Sequence, residues 1–214
     1  NDSAIVAEGP SIALTDCTFS LCGSFAGTAS VATLTGNAIL LDGCTVTDNM
    51  LSDIGCGGCI LNGDATILRS TFARNSTFGF GGALVVLGNA AISDTTFSAN
   101  LGGDGCGALR IVGDAAITHC NFLDNVAGDG AYGAAIVGGA VVVEGGSVSF
   151  TDCLLQGNSA ANNGKPDGVG GAIAGLDGAT ITLIDTSVLE NVALTAGGGA
   201  YVDATSFLSL DGST

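Results

Sequence analysis

Few side chains in this sequence are equipped for chemistry. Four lysines and arginines and one histidine stand against twenty acids, for a formal charge of −16. Glu8, Glu144 and Glu190 are the glutamates, so the remaining seventeen acids are aspartates, concentrated in turn-like strings with Gly, Asn and Ser. An aspartate in such a string ordinarily bonds nearby backbone amides. Calcium at these Asp-rich turns is the one cofactor the composition leaves open, and no other metal or cofactor is expected. Hydrolysis of a glycosidic bond needs two carboxylates facing each other across it. Elimination needs a base, and Arg69, Arg74, Arg110, Lys165 and His119 are the whole supply. Arg69 and His119 flank Asp94 in one outward column of the repeat described below, which also holds Asp16, Asp152 and Asp185. That column is either an Asp94-centred trio or a solvated row of mixed charges, and the second is the simpler reading. No catalytic residue is assigned. The net charge repels nucleic acid and anionic membrane surfaces, so neither is an expected partner.

The eight cysteines are the other reactive groups. Cys17 and Cys44 share a column on adjacent turns of the repeat, as do Cys120 and Cys153. A separation of about 4.8 Å between neighbouring strands falls within the Cα range of a disulfide. Ser and Thr fill the same column elsewhere, so both pairs fit equally well as bridges or as small inward thiols. Cys56-Gly-Gly-Cys59 has C-x-x-C spacing but neither a second pair to complete a zinc site nor a helix to activate a thiol, and reads as structural. Asn1-Asp2-Ser3 and Asn75-Ser76-Thr77 fit the N-glycosylation acceptor pattern.

The elements that must position these groups come from a repeat. A bulky apolar residue followed three positions on by Asn recurs at Val46/Asn49, Phe72/Asn75, Phe97/Asn100, Phe122/Asn125, Leu155/Asn158 and Val188/Asn191, with Phe19/Cys22 as a degenerate first copy. The asparagines lie 26, 25, 25, 33 and 33 residues apart. Two residues before the bulky position stands Cys17, Cys44, Ser70, Thr95, Cys120, Cys153 or Thr186. Three before that stands Leu14, Leu41, Ile67, Ile92, Ile117, Phe150 or Leu183. After the Asn comes a second motif, Gly81-Gly82-Ala83-Leu84 or Gly170-Gly171-Ala172-Ile173. Its variants read as Gly57-Gly58-Cys59-Ile60, Cys106-Gly107-Ala108-Leu109, Gly133-Ala134-Ala135-Ile136 and Gly198-Gly199-Ala200-Tyr201. Turns such as Gly63-Asp64 and Gly88-Asn89 complete the period.

Each period therefore holds three apolar pieces of about 4–6 residues, too short for helices and right for strands. A unit this small cannot bury its own apolar face and must stack on its neighbours. The expected fold is all-β, a right-handed parallel β-helix of seven to eight coils with three short strands per coil. It would be one domain over residues 1–214, a rod roughly 35–40 Å long at strand spacing. Asn49, Asn75, Asn100, Asn125, Asn158 and Asn191 are expected to form a ladder of side-chain amides. The string from Ala161 to Asp167 should project as a surface loop.

Alternation of the G-G-A-[IL] and F-x-x-N motifs from about residue 14 to 201 resembles the polymorphic membrane protein repeats of chlamydial autotransporters, which are similar to repeats in large algal and protist surface proteins. The resemblance implies an extracellular or cell-surface location and adhesive duty. Nothing in this stretch resembles the membrane β-barrel of an autotransporter, and the longest weakly polar run, 134–143, is too short and Gly-broken to cross a bilayer.

Two further readings concern surfaces. Outward positions of the motif strand read Thr18/Ser20, Thr45/Thr47, Thr71/Ala73 and Thr96/Ser98, then give way to Asn121/Leu123, Leu154/Gln156 and Ser187/Leu189. Such a hydroxyl array resembles the flat faces of ice-binding solenoids, although Thr is also an ordinary exposed-strand residue. Both ends read as further coil, so the chain is expected to be a segment of a longer solenoid or to stack end to end with copies or neighbouring domains. The expected function is a non-enzymatic structural or adhesive β-helix of a cell surface or filament, with a surface ligand or glycan as a further partner. Ice binding is the alternative, and polysaccharide processing ranks below both.

Overall fold

A period-2 alternation of buried and more exposed residues shapes most of the longer strands, while Leu84–Leu87, Val141–Glu144 and Ile173–Leu176 bury three residues in a row. The computed structural model describes residues 4–24, 30–51, 55–103, 105–128, 137–160 and 168–214. Among these, every element is a strand and every pairing is parallel, as in a β-helix. Three sheets run the length of the stack.

The motif strands form a seven-stranded sheet, Thr18–Ser20, Thr45–Thr47, Thr71–Ala73, Thr96–Ser98, Asn121–Leu123, Leu154–Gln156 and Ser187–Leu189. Their register puts Phe19, Val46, Phe72, Phe97, Phe122, Leu155 and Val188 in one inward column. The G-G-A strands and the aliphatic strands belong together in a fourteen-stranded sheet. In two coils they are continuous, Ala32–Asp42 and Cys59–Leu68; elsewhere the Gly/Asn corner splits them, as in Leu84–Leu87 and Ala90–Ser93. The third sheet is a stack of seven two-residue strands directly after the asparagines, such as Ser76–Thr77, Leu101–Gly102 and Val126–Ala127. The sequence pattern resolves three apolar pieces per coil but not this partition. Two residues are too few to display a period, so the third wall is invisible until the backbone pairs.

Registers also correct the second motif. Cys59, Leu84, Leu109, Val141, Ile173 and Ala200 occupy one column. The matching tetrads are therefore Cys56-Gly57-Gly58-Cys59 and Gly197-Gly198-Gly199-Ala200, one residue earlier than the pattern suggests. In the fifth coil Gly138-Gly139-Ala140-Val141 takes the place expected for Gly133-Ala134-Ala135-Ile136, which lies outside the described residues. One residue of slip exchanges the two faces of a strand, so Ile60 and Tyr201 point outward rather than into the core.

The glycines of this motif have a specific cause. Gly57, Gly82, Gly107, Gly139 and Gly171 stack coil on coil, and a Cβ on any of them would run into the carbonyl oxygen of the glycine one coil on. Each also abuts the backbone of a two-residue strand, with a Cβ on Gly107 reaching 2.7 Å from Val126 N. Backbone packs on backbone here, and no side chain fits.

The core is continuous from coil to coil. Ile67, Ile92, Ile117, Phe72, Phe97, Phe122 and Phe150 are all essentially inaccessible, each contributing about 1.5–3 kcal/mol by the usual worth of a buried large apolar side chain. At the two ends inward residues of the stack, Ile12 and Leu14 at one and Val202 and Leu208 at the other, are only partly covered.

Candidate functional site

The motif sheet presents the most regular outer surface. Thr18, Thr45, Thr71 and Thr96 stand in one outward column and Ser20, Thr47, Ala73 and Ser98 in its neighbour. The first coil's pair is exposed, those above are half-covered by their neighbours, and Ala73 is buried. Two columns of sharp corners bound this strip. Asp16, Arg69, Asp94, His119, Asp152 and Asp185 hold φ between 46° and 51° on one side, and Leu21, Asp48, Arg74, Ala99, Asp124 and Glu190 between 51° and 58° on the other. Left-handed backbone at a non-glycine residue is uncommon; here every coil must turn at the same two places, and Asp tolerates the conformation best of the charged residues.

These corners carry most of the charge, and the charges tie coils together. Arg74 grips Asp48 through Nε at 2.6 Å and Nη2 at 2.7 Å, and the guanidinium holds that carboxyl below its ordinary value. Arg69 reaches back one coil to Asp42 at 2.6 Å. It does not join Asp94. His119 instead lies between two carboxylates, its Nδ1 3.8 Å from Asp94 and its Nε2 3.6 Å from Asp152. The Asp94-centred trio does not form, and the exposed His119, Asp94 and Asp152 make the solvated row of mixed charges that was the simpler reading. Arg110 makes a two-toothed bond to Glu144, Nε at 3.0 Å and Nη2 at 2.6 Å, and lies over the Phe80 ring at 5.7 Å. Lys165 lies outside the described residues.

Inside the third corner runs an amide ladder. From Asn49 to Asn158 each Asn Nδ2 donates twice, to the next Asn Oδ1 and to the carbonyl of the bulky residue one coil back. From Asn75 to Asn191 each Oδ1 accepts the Nδ2 and the backbone N–H of the preceding Asn, and the Asn49 Oδ1 accepts the Cys22 backbone N–H. Asn49 through Asn158 are buried with both amide ends satisfied, and Asn191 closes the row half-buried. Asn75 is a rung of this ladder with no accessible surface. Its acceptor pattern therefore cannot carry a glycan in the folded chain; Asn1 lies outside the described residues.

A second ladder was not anticipated. At the Gly/Asn corner of the large sheet, Asp64 Oδ1 accepts from Asn89 N–H, Asn89 Oδ1 from Asp114 N–H, and Asp114 Oδ1 from Ser147 N–H, at 2.8–3.1 Å. The recurring Gly-Asn and Gly-Asp pairs were its signal. Asp64 and Asp114 there accept backbone hydrogens, and among the described residues no three of His, Cys, Asp and Glu are arranged to hold a metal ion. Beside this corner lies a groove of about 630 Å³, lined by Asn37, Asp64 and Asn89 with Leu40, Thr66 and Ala91. Asn37 lines it where the register shifts between Thr35 and Ala38. Asp64 is the groove's single carboxylate, and an acid–base pair needs two. Outward positions of the neighbouring aliphatic strands add another hydroxyl row, Ser93, Thr118 and Thr151 beside Ser149, Thr182 and Ser209.

All eight cysteines are free thiols. Cys17 faces Cys44, and Cys120 faces Cys153, in the columns expected, without a sulfur–sulfur bond. Burial pushes the thiols of Cys59 and Cys106 up to about 12, and Cys56 also well up. They are packing groups, not nucleophiles.

A model of the right-handed β-helix region matches residues 3–214. The chain belongs to the right-handed β-helix family. The match fixes the hand of the coil, which strand pairing by itself does not state. Neither a curated protein nor a solved structure matches this β-helix. Among the described residues no helix is long and apolar enough to cross a membrane.

Proposed function

We propose that this β-helix is a non-catalytic structural rod of a cell surface or extracellular filament, with adhesive or scaffolding duty. One observation carries the reading. Arg69, Arg74 and Arg110 are each spent on a carboxylate of an adjacent coil, and the buried polar groups are spent on ladders, so the chemistry of the chain goes into holding coils in line. The partly covered columns at both ends fit further coils, whether of neighbouring domains or of another copy. A flat side wall is then the surface left for a ligand or glycan.

The test is exposure of the purified chain to a panel of neutral and acidic polysaccharides, reading release of reducing ends and of unsaturated products alongside retention on the immobilised polymers. Retention without product is expected. Product formation that disappears in Asp64→Asn would replace this reading with a polysaccharide-processing enzyme.

The register of Thr18, Thr45, Thr71 and Thr96 favours ice binding as a second reading. Thermal hysteresis that vanishes when Thr45 and Thr71 are changed to Lys, with the melting curve unchanged, would support it; no hysteresis in the wild type rules it out.

A further inference from the structure

The corner ladder of the large sheet leaves polar atoms idle, which the buried rungs of the asparagine ladder do not. Asp64 and Asn89 each commit one side-chain oxygen to a backbone N–H of the next coil. The second Asp64 oxygen and the Asn89 Nδ2 have no partner among the described residues. Asn37, at the register shift, is no rung of the ladder, and neither end of its amide is bonded. All three side chains line the groove of about 630 Å³. Leu40, Thr66 and Ala91, paired across three successive coils, make its floor.

On the reading of this chain as a non-catalytic surface rod, we propose that the groove holds one straight, neutral β-linked polysaccharide chain, lying along the rod axis with one sugar per coil.

Spacing supports this occupant. Coils rise about 4.8 Å each, and an extended β-linked hexose chain advances by nearly the same step per sugar. Idle groups one coil apart therefore meet successive sugars in the same way. The lining runs from Ser11 to Asn89 over four successive coils, and so accommodates four sugars. The Asn37 and Asn89 amides donate to hydroxyls, and the free Asp64 oxygen accepts from one. The low floor lies against the C–H face of the rings, where apolar contact adds to the hydrogen bonds. Two of the three idle groups are neutral amides, and the charge of −16 repels uronates and sulfated sugars. Asp64 is a lone carboxylate, so the chain is held without being cut.

The experiment titrates the native chain calorimetrically with β-1,4-linked gluco-, manno- and xylo-oligosaccharides from disaccharide to hexasaccharide, and with β-1,4-linked glucuronate oligomers as the acidic counterpart. At least one neutral series should bind, with affinity rising up to the tetrasaccharide and level thereafter, and the acidic series should not. Asn37→Ala removes an amide that bonds nothing in the protein, so the fold is kept while binding weakens roughly threefold to tenfold. Thr66→Arg, which fills the floor, should abolish binding. No neutral series bound, stronger binding of the acidic one, or affinity unchanged in a natively folded Asn37→Ala would overturn the proposal and leave the non-catalytic rod standing. Release of shortened sugars from a bound chain would instead overturn the non-catalytic reading and leave the groove its occupant. If Thr66→Arg fails to fold, Asn37→Ala and the length series decide.

Discussion

The rings of Phe97 and Phe122 lie face to face, their centroids 4.9 Å apart and their planes 2° from parallel. Phe72 continues the stack at 5.0 Å and 8°. The spacing is that of the strands themselves: identical residues in identical rotamers, one coil apart, can only stack this way. Phe150, which belongs to the aliphatic strand, meets Phe122 edge-on at 6.2 Å instead.

Replacing Phe97 by Ala therefore removes the middle ring of a three-ring stack and should cost about 3–5 kcal/mol. Leu189 is 41% exposed on the outer face of the same sheet, and its truncation should cost under about 1 kcal/mol. Denaturant melts of the two variants compare them; equal losses would mean the inward column is misplaced.

Gly107→Ala and Gly178→Ala separate two reasons for glycine. A Cβ at Gly107 meets the Gly139 carbonyl and Val126 backbone, so the variant should fail to form the native stack, seen as loss of the cooperative transition. At Gly178, with φ of +82°, nothing lies within 4 Å of an added Cβ. Only backbone strain remains, about 1–2 kcal/mol.

Asn100→Ala should be unusually costly for a polar-to-Ala change. It leaves the Asn75 backbone N–H and one of the two Asn75 Nδ2 hydrogens without an acceptor, and takes a donor from the Phe72 carbonyl and from the Asn125 Oδ1, all buried. At about 1–3 kcal/mol for each unmet buried group, partly relieved by relaxation, a loss of at least about 3 kcal/mol is expected. Asn191→Ala, at the half-buried end of the ladder, should lose clearly less. Chemical denaturation of both variants reads the difference.

The Asp48–Arg74 pair sets a pH dependence whose sign is fixed. Asp48 is held below its ordinary value of 3.8 by the Arg74 hydrogen bonds. Its contribution is complete above that ordinary value and is lost as the pH falls through the depressed one. The gap in melting temperature between wild type and Asp48→Asn should be constant from pH 8 to about 5 and close below about 4. A gap that instead widened in acid would contradict the pairing.

Ionic strength should control end-to-end association. Leu210, 62% exposed on the last coil, lines an apolar hollow with Leu183, Val188 and Leu208. The charge of −16 opposes contact between copies, and salt shortens its reach to about 8 Å near physiological strength. Small-angle scattering should show particle length growing in steps of one rod as salt is added. A constant length at every salt concentration would argue that these columns are met by coils of neighbouring domains instead.

What the sequence determined by itself is the periodic part. Column composition is a direct consequence of stacking like on like, so the Phe column, the Asn ladder, the Cys/Ser/Thr column and the outward threonines were all legible from spacing alone. The tertiary structure decided what hydropathy does not encode. Gly, Ala and Cys are alike in size, so a tetrad can slide by one residue without changing the pattern, and only the pairing of Cys59 with Leu84 selects Cys56-Gly57-Gly58-Cys59 over its neighbour. A two-residue strand shows no period, so the third wall emerged only from backbone pairing. Side chains long enough to choose among coils, Arg69 toward Asp42 and Arg110 toward Glu144, chose by distance in space, which no count along the chain contains.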